Sequence, residues 1–191
     1  MNLTPSLGGW LNGSNSTATF SLTTEDLTFL SGSNSISFRV APDSRCAQRQ
    51  MDFDNDGIDD FVTVSPRTGR WVITRSSDQV QLKRTFGSSK DRFFVGDFTG
   101  DGLPDLARYQ TDAARWFICS SASNYACDQA TSTRLGNNGD VPAAADYDGD
   151  DILDRSVYRS KTGTLYYDES SSGQRKSKVV GKGVVVLNSE L

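Results

Sequence analysis

The stretch "DFDNDGIDD", residues 52–60, places five carboxylates in nine positions. Like charges this close repel one another, so the stretch is either a solvated acidic turn or the surroundings of a cation. Related stretches follow at 97–105, "DFTGDGLPD", and at 146–154, "DYDGDDILD". All three share aspartate at positions 1, 5 and 9, an aromatic residue at position 2 and an aliphatic residue at position 7. The repetition indicates a chain assembled from similar units.

Glycines that close strand-like runs mark the boundaries of these units. Gly87 and Gly136 each lie ten residues before the next acidic loop, which gives units of 45, 49 and 45 residues at 42–86, 87–135 and 136–180. Four short strands in a unit of this length match one propeller blade. We therefore predict an all-β fold of β-propeller-type blades, with three four-stranded antiparallel repeats. A β-sandwich with loosely similar hairpins is the alternative, and the shared anchors favour blades.

The ends of the chain do not carry the full repeat. Residues 1–41 contain the strand-like runs "TATFSLT", "DLTFL" and "SISFRVA", which predict a short N-terminal β segment. Residues 182–191 follow "KVVG" and are expected to begin a further repeat or to form a C-terminal tail. The pattern as a whole is typical of a larger array of blades.

Composition excludes several classes of protein. No apolar run approaches the roughly 20 residues of a membrane span. The absence of histidine excludes Ser-His-Asp and Cys-His catalysis and argues against catalytic zinc. Thirteen of the 24 acidic residues lie in the three loops, while Lys and Arg are scattered, so we predict no nucleic-acid partner. Cys119 and Cys127 form either a disulfide or two free thiols, and Cys46 has no assigned role.

The spacing of the carboxylates suits a calcium ion, which takes six to eight oxygen ligands. Positions 1, 3, 5 and 9 would supply side-chain oxygens, position 7 its backbone carbonyl, and a glycine at position 6 would allow the sharp turn. Up to three structural Ca²⁺ ions are predicted. The predicted ligands are Asp52, Asp54, Asp56, Ile58 and Asp60 in the first loop, Asp97, Thr99, Asp101, Leu103 and Asp105 in the second, and Asp146, Asp148, Asp150, Ile152 and Asp154 in the third.

Two loops depart from the complete pattern. Thr99 replaces a charged ligand in the second loop, and Asp151 replaces the glycine in the third, so we expect calcium affinity to be highest at the first loop. The aliphatic side chains at position 7 are expected to point into the core. An EF-hand is excluded because position 12 is Thr63, Arg108 or Val157 rather than glutamate. Asp-rich turns held by side-chain-to-backbone bonds remain the alternative.

The loops and their flanks resemble FG-GAP/VCBS repeats, the calcium-loop blades of integrin α-subunit propellers and of many secreted bacterial proteins. The resemblance rests on the aspartate loops, on "TFGSSKD" before the second loop and on "DLARYQ" and "RWFI" after it, and it covers about residues 42–181. It implies an extracellular or secreted location. It also implies that other blades come from a longer parent chain or from a self-association partner.

The function predicted from these features is a non-catalytic, calcium-binding β-propeller repeat module for recognition or adhesion, with a protein or glycan as ligand. The alternatives are a carbohydrate-binding, lectin-like propeller and an accessory module of a secreted glycoside hydrolase or lyase. Trp71, Trp116 and Tyr166 could contact such a ligand, although their place within strands favours the core. No pair of carboxylates outside the loops suggests catalysis.

Overall fold

The structure, a computed structural model, describes residues 51–184. These residues form three antiparallel sheets and two short 3₁₀ turns at Ser121–Ser123 and Cys127–Gln129. The prediction of an all-β fold built from three antiparallel sheets is confirmed. The predicted N-terminal β segment at 1–41, and residues 42–50, lie outside the described residues.

The first sheet has the strand order β1-β2-β3, the second β4-β5-β6-β7 and the third β8-β9-β10-β11. Neighbouring strands pair antiparallel in simple meanders. The strands are β1 Phe61–Ser65, β2 Arg70–Thr74, β3 Gln81–Thr85, β4 Asp91–Gly96, β5 Asp105–Gln110, β6 Arg115–Cys119, β7 Thr131–Arg134, β8 Val141–Pro142, β9 Arg155–Arg159, β10 Thr164–Asp168 and β11 Arg175–Val179.

Successive side chains of each strand point to opposite faces of the sheet, and one of these faces packs against the next sheet. In the first sheet Trp71 and Ile73 are fully buried, and Trp71 meets Phe93 of the second sheet edge-to-face at 5.5 Å between ring centroids. The opposite face of the second sheet carries Trp116, which shares a core cluster with Val157 of the third sheet. Buried apolar clusters between successive sheets are the packing expected of neighbouring blades.

In the first and third units, the hairpin glycine contacts the glycine that directly follows the unit. Gly69, in the β1–β2 hairpin, has φ of +63°, and a Cβ placed on it would lie 2.4 Å from the carbonyl oxygen of Gly87. Gly163 stands in the same way against Gly181, with 2.5 Å to the carbonyl carbon. In the first and third units, the hairpin glycine and the boundary glycine therefore lie on the two sides of one close backbone approach.

Two aspartates, each six residues before an acidic loop, stabilise the chain where it enters the second and third sheets. Asp91 accepts a hydrogen bond from the Ser88 amide at 2.8 Å and pairs with Arg108 at 2.9 Å. Asp140 likewise pairs with Arg159 at 2.8 Å. The partners of both carboxylates lie outside the acidic loops, so we regard the two ion pairs as structural.

Candidate metal centre

The three acidic loops have the same unusual backbone. Positions 4 and 6 both lie in the left-handed region in every loop, which explains why asparagine, glycine or aspartate occupies them. The residues and their φ angles are Asn55 (59°) and Gly57 (86°), Gly100 (77°) and Gly102 (82°), and Gly149 (86°) and Asp151 (67°). Asp151 adopts the conformation that its glycine counterparts adopt. The departure noted in the third loop therefore leaves the loop backbone intact.

The aspartate at position 1 closes each loop on itself. One carboxylate oxygen of Asp52 accepts a hydrogen bond from the Gly57 amide at 2.9 Å. The matching bonds are Gly102 N–H to Asp97 at 2.8 Å and Asp151 N–H to Asp146 at 2.9 Å. Side-chain-to-backbone bonds of this kind stabilise tight turns without an ion. Part of the acidity of these loops thus serves their folding.

The aspartate at position 9 joins each loop to a second turn. We call Asp60, Asp105 and Asp154 the clamp aspartates; all three are buried. One oxygen accepts the amide of position 2, and the other accepts the amide of a serine that follows the second strand after the loop. The distances are 2.9 and 2.7 Å for Asp60, 2.9 and 2.8 Å for Asp105, and 2.9 and 2.7 Å for Asp154.

Three carboxylates converge in two of the loops. Within residues 51–184, the groups with carboxylate oxygens within 4.8 Å of one another are Asp52, Asp54 and Asp60, and Asp146, Asp148 and Asp154. These two clusters could hold a metal ion. In the second loop, the Thr99 hydroxyl at position 3 donates to Asp105 at 3.1 Å instead of supplying a carboxylate.

Burial and hydrogen bonding act in opposite directions on these carboxyl groups. Burial raises the pKa of Asp105, and the amide and hydroxyl of Ser121 oppose that rise. Burial also raises the pKa of Asp154. In contrast, a hydrogen bond from the Ser171 hydroxyl lowers the pKa of Asp148. The cluster in the third loop therefore combines Asp154, whose charged form is disfavoured by burial, with Asp148, whose charged form is favoured by a hydrogen bond.

The position-5 aspartates lie outside the converged groups. Asp56, Asp101 and Asp150 each accept the amide of position 7, at 2.7, 2.9 and 2.9 Å. Each also accepts a serine hydroxyl from the neighbouring turn. The structure thus brings positions 1, 3 and 9 together in the first and third loops and directs position 5 toward serine.

The expectation that position 7 points into the core is wrong for the first loop, where Ile58 is 58% exposed. The physical reason is that the position-7 side chains of the second and third loops lie against the preceding acidic loop. Ile152 lies against Gly100, where its Cδ1 would be 2.7 Å from an added Cβ, and Leu103 lines a cleft with Asn55. Within residues 51–184 no loop precedes the first, so Ile58 has no such neighbour there.

The donor chemistry of the two clusters suits a hard cation. Every available ligand atom is a carboxylate oxygen, which Ca²⁺ and Mg²⁺ prefer and which zinc sites rarely use alone. Asp148 Oδ1 is shielded from solvent and has no hydrogen-bond partner among the described residues. A buried carboxylate oxygen without a partner is costly unless a cation or water satisfies it. The residues present therefore fit a divalent metal ion.

Two further features predicted from the sequence have definite places in the structure. Cys119 and Cys127 form a disulfide, which decides between the two alternatives for this pair. Trp71 and Trp116 are fully buried, and Tyr166 is partly buried with Arg159 stacked 4.5 Å from its ring centroid. The tryptophans are thus core residues. Cys46 lies outside the described residues.

The serines that contact the loops were not predicted as site residues. Ser76, Ser121 and Ser170 each lie 24 residues after the first aspartate of their loop. This constant separation is present in the sequence. It is hard to notice because serine is common in turns for many reasons.

Comparison with known proteins agrees with this geometry. The family model of the FG-GAP-like repeat matches residues 52–108, which run from the first loop through the second and into β5. No curated protein and no solved structure matched the chain. Among the described residues, no helix is long and apolar enough to cross a membrane. Residues 52–108 are therefore similar to an FG-GAP-like repeat, the family that the sequence resembles.

Proposed function

We propose that this protein is a non-catalytic, calcium-stabilised β-propeller-type module for extracellular recognition or adhesion. The observation that carries the proposal is the convergence of three carboxylates in the first and third loops, with oxygens within 4.8 Å of one another. The FG-GAP-like repeat at 52–108 supports a repeat module of this type.

Calcium fits the site better than the other common divalent ions. Zinc sites generally include nitrogen or sulfur ligands, and the described clusters offer only oxygen. Magnesium demands near-ideal octahedral geometry at about 2.0–2.1 Å, while calcium accepts irregular shells of carboxylates, carbonyls and water. The irregular arrangement of loop carboxylates and backbone therefore favours calcium.

The role proposed for the ion is structural. Unit charges 4 Å apart repel by about 1 kcal/mol in water and about 4 kcal/mol at intermediate dielectric. A dication in each cluster would remove this repulsion and bind the folded loop in preference to the unfolded chain. We place two stronger sites at the first and third loops and a weaker site at the second, where Thr99 supplies no charge.

An extracellular location is consistent with the cysteine chemistry. The Cys119–Cys127 disulfide closes the hairpin connection after β6. Disulfides persist in oxidising compartments, and calcium modules of the extracellular space work at Kd of about 10⁻⁴–10⁻³ M. Sites of only three carboxylates suit that weak range.

Recognition is assigned to the exposed turns between strands. The lectin-like alternative depended on aromatic platforms, and Trp71 and Trp116 are fully buried. The loop carboxylates hold backbone amides and converge as metal ligands, so a hydrolytic role would compete with both uses. Adhesion through the turns therefore accords best with the described surface.

Calorimetric titration of the full chain with calcium tests the proposal. We expect two tighter sites, and we expect Asp54→Ala to remove one of them while Thr99→Ala leaves both. The two substitutions remove side chains at the same loop position, so each is the matched control for the other. Absence of calcium binding by the unmodified chain, or equal losses in the two variants, would contradict the assignment.

A further inference from the structure

A short turn follows the second strand after each acidic loop. We call the first two residues of these turns the serine turns: 76–77 after β2, 121–122 after β6 and 170–171 after β10. The first residue is serine in all three units, and its amide donates to the clamp aspartate of the same unit. The turn is therefore held directly over the acidic loop by a buried carboxylate.

The first serine also donates its hydroxyl to the position-5 aspartate. The distances are 2.9 Å from Ser76 to Asp56, 2.5 Å from Ser121 to Asp101 and 2.9 Å from Ser170 to Asp150. In the first loop the other oxygen of Asp56 accepts the Ile58 amide. The position-5 carboxylate is therefore fixed in one orientation before any ion arrives.

The second residue of the turn changes together with position 3 of the loop. Ser77 donates to Asp54 in the first unit, and Ser171 donates to Asp148 at 2.7 Å in the third. In the second unit the turn residue is Ala122, and position 3 is Thr99. The hydroxyl is thus present where position 3 is a carboxylate and absent where it is not.

The match between the second turn residue and position 3 of the loop indicates that this serine is more than an ordinary turn residue. Ser77, Ala122 and Ser171 are all exposed, so burial does not select the residue at this place. Serine and alanine both fit the turn, because the backbone bond to the clamp aspartate forms in all three units. The residue at this place thus varies together with the carboxylate at position 3.

We propose that Ser77 and Ser171 are positioning residues for calcium binding, each holding the position-3 carboxylate of its loop. The inference rests on the proposed function and extends it to a second segment of each unit. The Ser171 hydroxyl occupies Oδ2 of Asp148 and leaves the shielded Oδ1 for an ion. The Ser77 hydroxyl likewise occupies Oδ2 of Asp54, whose Oδ1 accepts only a long bond from the Asp56 amide at 3.3 Å. Such outer-shell partners orient ligands, and their loss typically lowers metal affinity by about 10–100-fold.

The test compares calcium binding by Ser77→Ala and Ser171→Ala with that of the unmodified chain. Each variant should lose about 10–100-fold in affinity at its own site and keep the other site unchanged. Ser77→Thr, which retains a hydroxyl, should restore binding. Ser172→Ala is the matched control, because Ser172 lies next to Ser171 but donates to Glu169 rather than to a loop carboxylate.

A second measurement separates positioning from a general effect on folding. Thermal melts in chelator should be the same for Ser77→Ala and the unmodified chain. Hydrogen exchange at the amides of residues 77–80 should slow on calcium addition in the unmodified chain and much less in Ser77→Ala, because the link between ion and turn is lost.

The outcomes are distinguishable. If the unmodified chain binds no calcium, the proposed function fails. If it binds calcium and both alanine variants bind as tightly or more tightly, the positioning role alone is overturned. A loss in Ser172→Ala equal to that in Ser171→Ala would likewise overturn it, since it would reflect the turn rather than the hydroxyl.

Discussion

The first and second acidic loops, 52–60 and 97–105, share one backbone and differ in what they can bind. Both have left-handed residues at positions 4 and 6, and both are closed by the aspartates at positions 1 and 9. The first brings three carboxylates together, whereas in the second a threonine hydroxyl bonds to the clamp aspartate. The aspartates of the motif thus have two roles: some stabilise the loop backbone, and some converge as ligands for an ion.

The comparison assigns these functions to different positions. Positions 1 and 9 bond to backbone amides in every loop, so they are needed whether or not an ion binds. Position 3 makes no such constant contribution, and its carboxylate is the one that varies. The loops should therefore respond alike to changes at position 9 and differently to changes at position 3.

The largest expected effect comes from removing a clamp aspartate. Asp60→Ala and Asp105→Ala each leave two amides without their carboxylate, at a cost of about 1–3 kcal/mol per unpaired group. We expect each variant to lose about 3 kcal/mol in free energy of unfolding, measured by denaturant titration in chelator. Asp59→Ala, which removes an exposed carboxylate of the same loop, is the control. A much smaller loss in Asp105→Ala than in Asp60→Ala would break the equivalence of the two loops.

Exchanging position 3 should convert one loop into the other. Thr99→Asp combined with Ala122→Ser gives the second unit the same residues as the first at these places, and we expect the number of tight calcium sites to rise from two to three. Asp54→Thr should weaken the first site at least tenfold, or about 1.4 kcal/mol. Calorimetric stoichiometry measures both changes. An unchanged site count in the double variant would show that position 3 does not explain the difference.

The smallest expected effect concerns position 6, where the loops use glycine or aspartate. No atom lies within 4 Å of a Cβ placed on Gly57 or Gly102, so a side chain there meets only the cost of the left-handed backbone. Gly57→Ala should therefore destabilise the protein by about 1 kcal/mol, and Asp151→Gly should stabilise it by a similar amount. Denaturant unfolding at fixed calcium concentration measures both. Equal stability of all three proteins would mean that the third loop carries no such strain.

Much of the fold was predictable because the repeat is written in short, local patterns. The loop aspartates and the boundary glycines Gly87 and Gly136 mark the units within their own sequence. Units of 45 to 49 residues, each of a length that suits four short strands, indicated sheet as well. These local signals were sufficient to predict three antiparallel sheets.

Other features depend on contacts between distant residues and were missed or misjudged. The bond from Ser76 to Asp60 forms only because β1 and β2 pair in one register, which returns residue 76 to the loop. The exposure of Ile58 depends on which loop precedes it in space. The serine hydroxyls that donate to the position-5 carboxylates likewise come from a distant turn, and the sequence did not predict these contacts.

The most direct test of the account is a thermal melt of the full chain in excess calcium and in chelator, at fixed pH and ionic strength. At about 100 times the Kd each independent site adds roughly 2.7 kcal/mol, so two sites contribute about 5 kcal/mol. For a domain of this size, 1 kcal/mol moves Tm by about 2–4 °C, which predicts a rise of about 10–20 °C in calcium. Magnesium should produce much less of this rise. Coincident melts in calcium and chelator would contradict the account and leave the aspartates as ion-free turns.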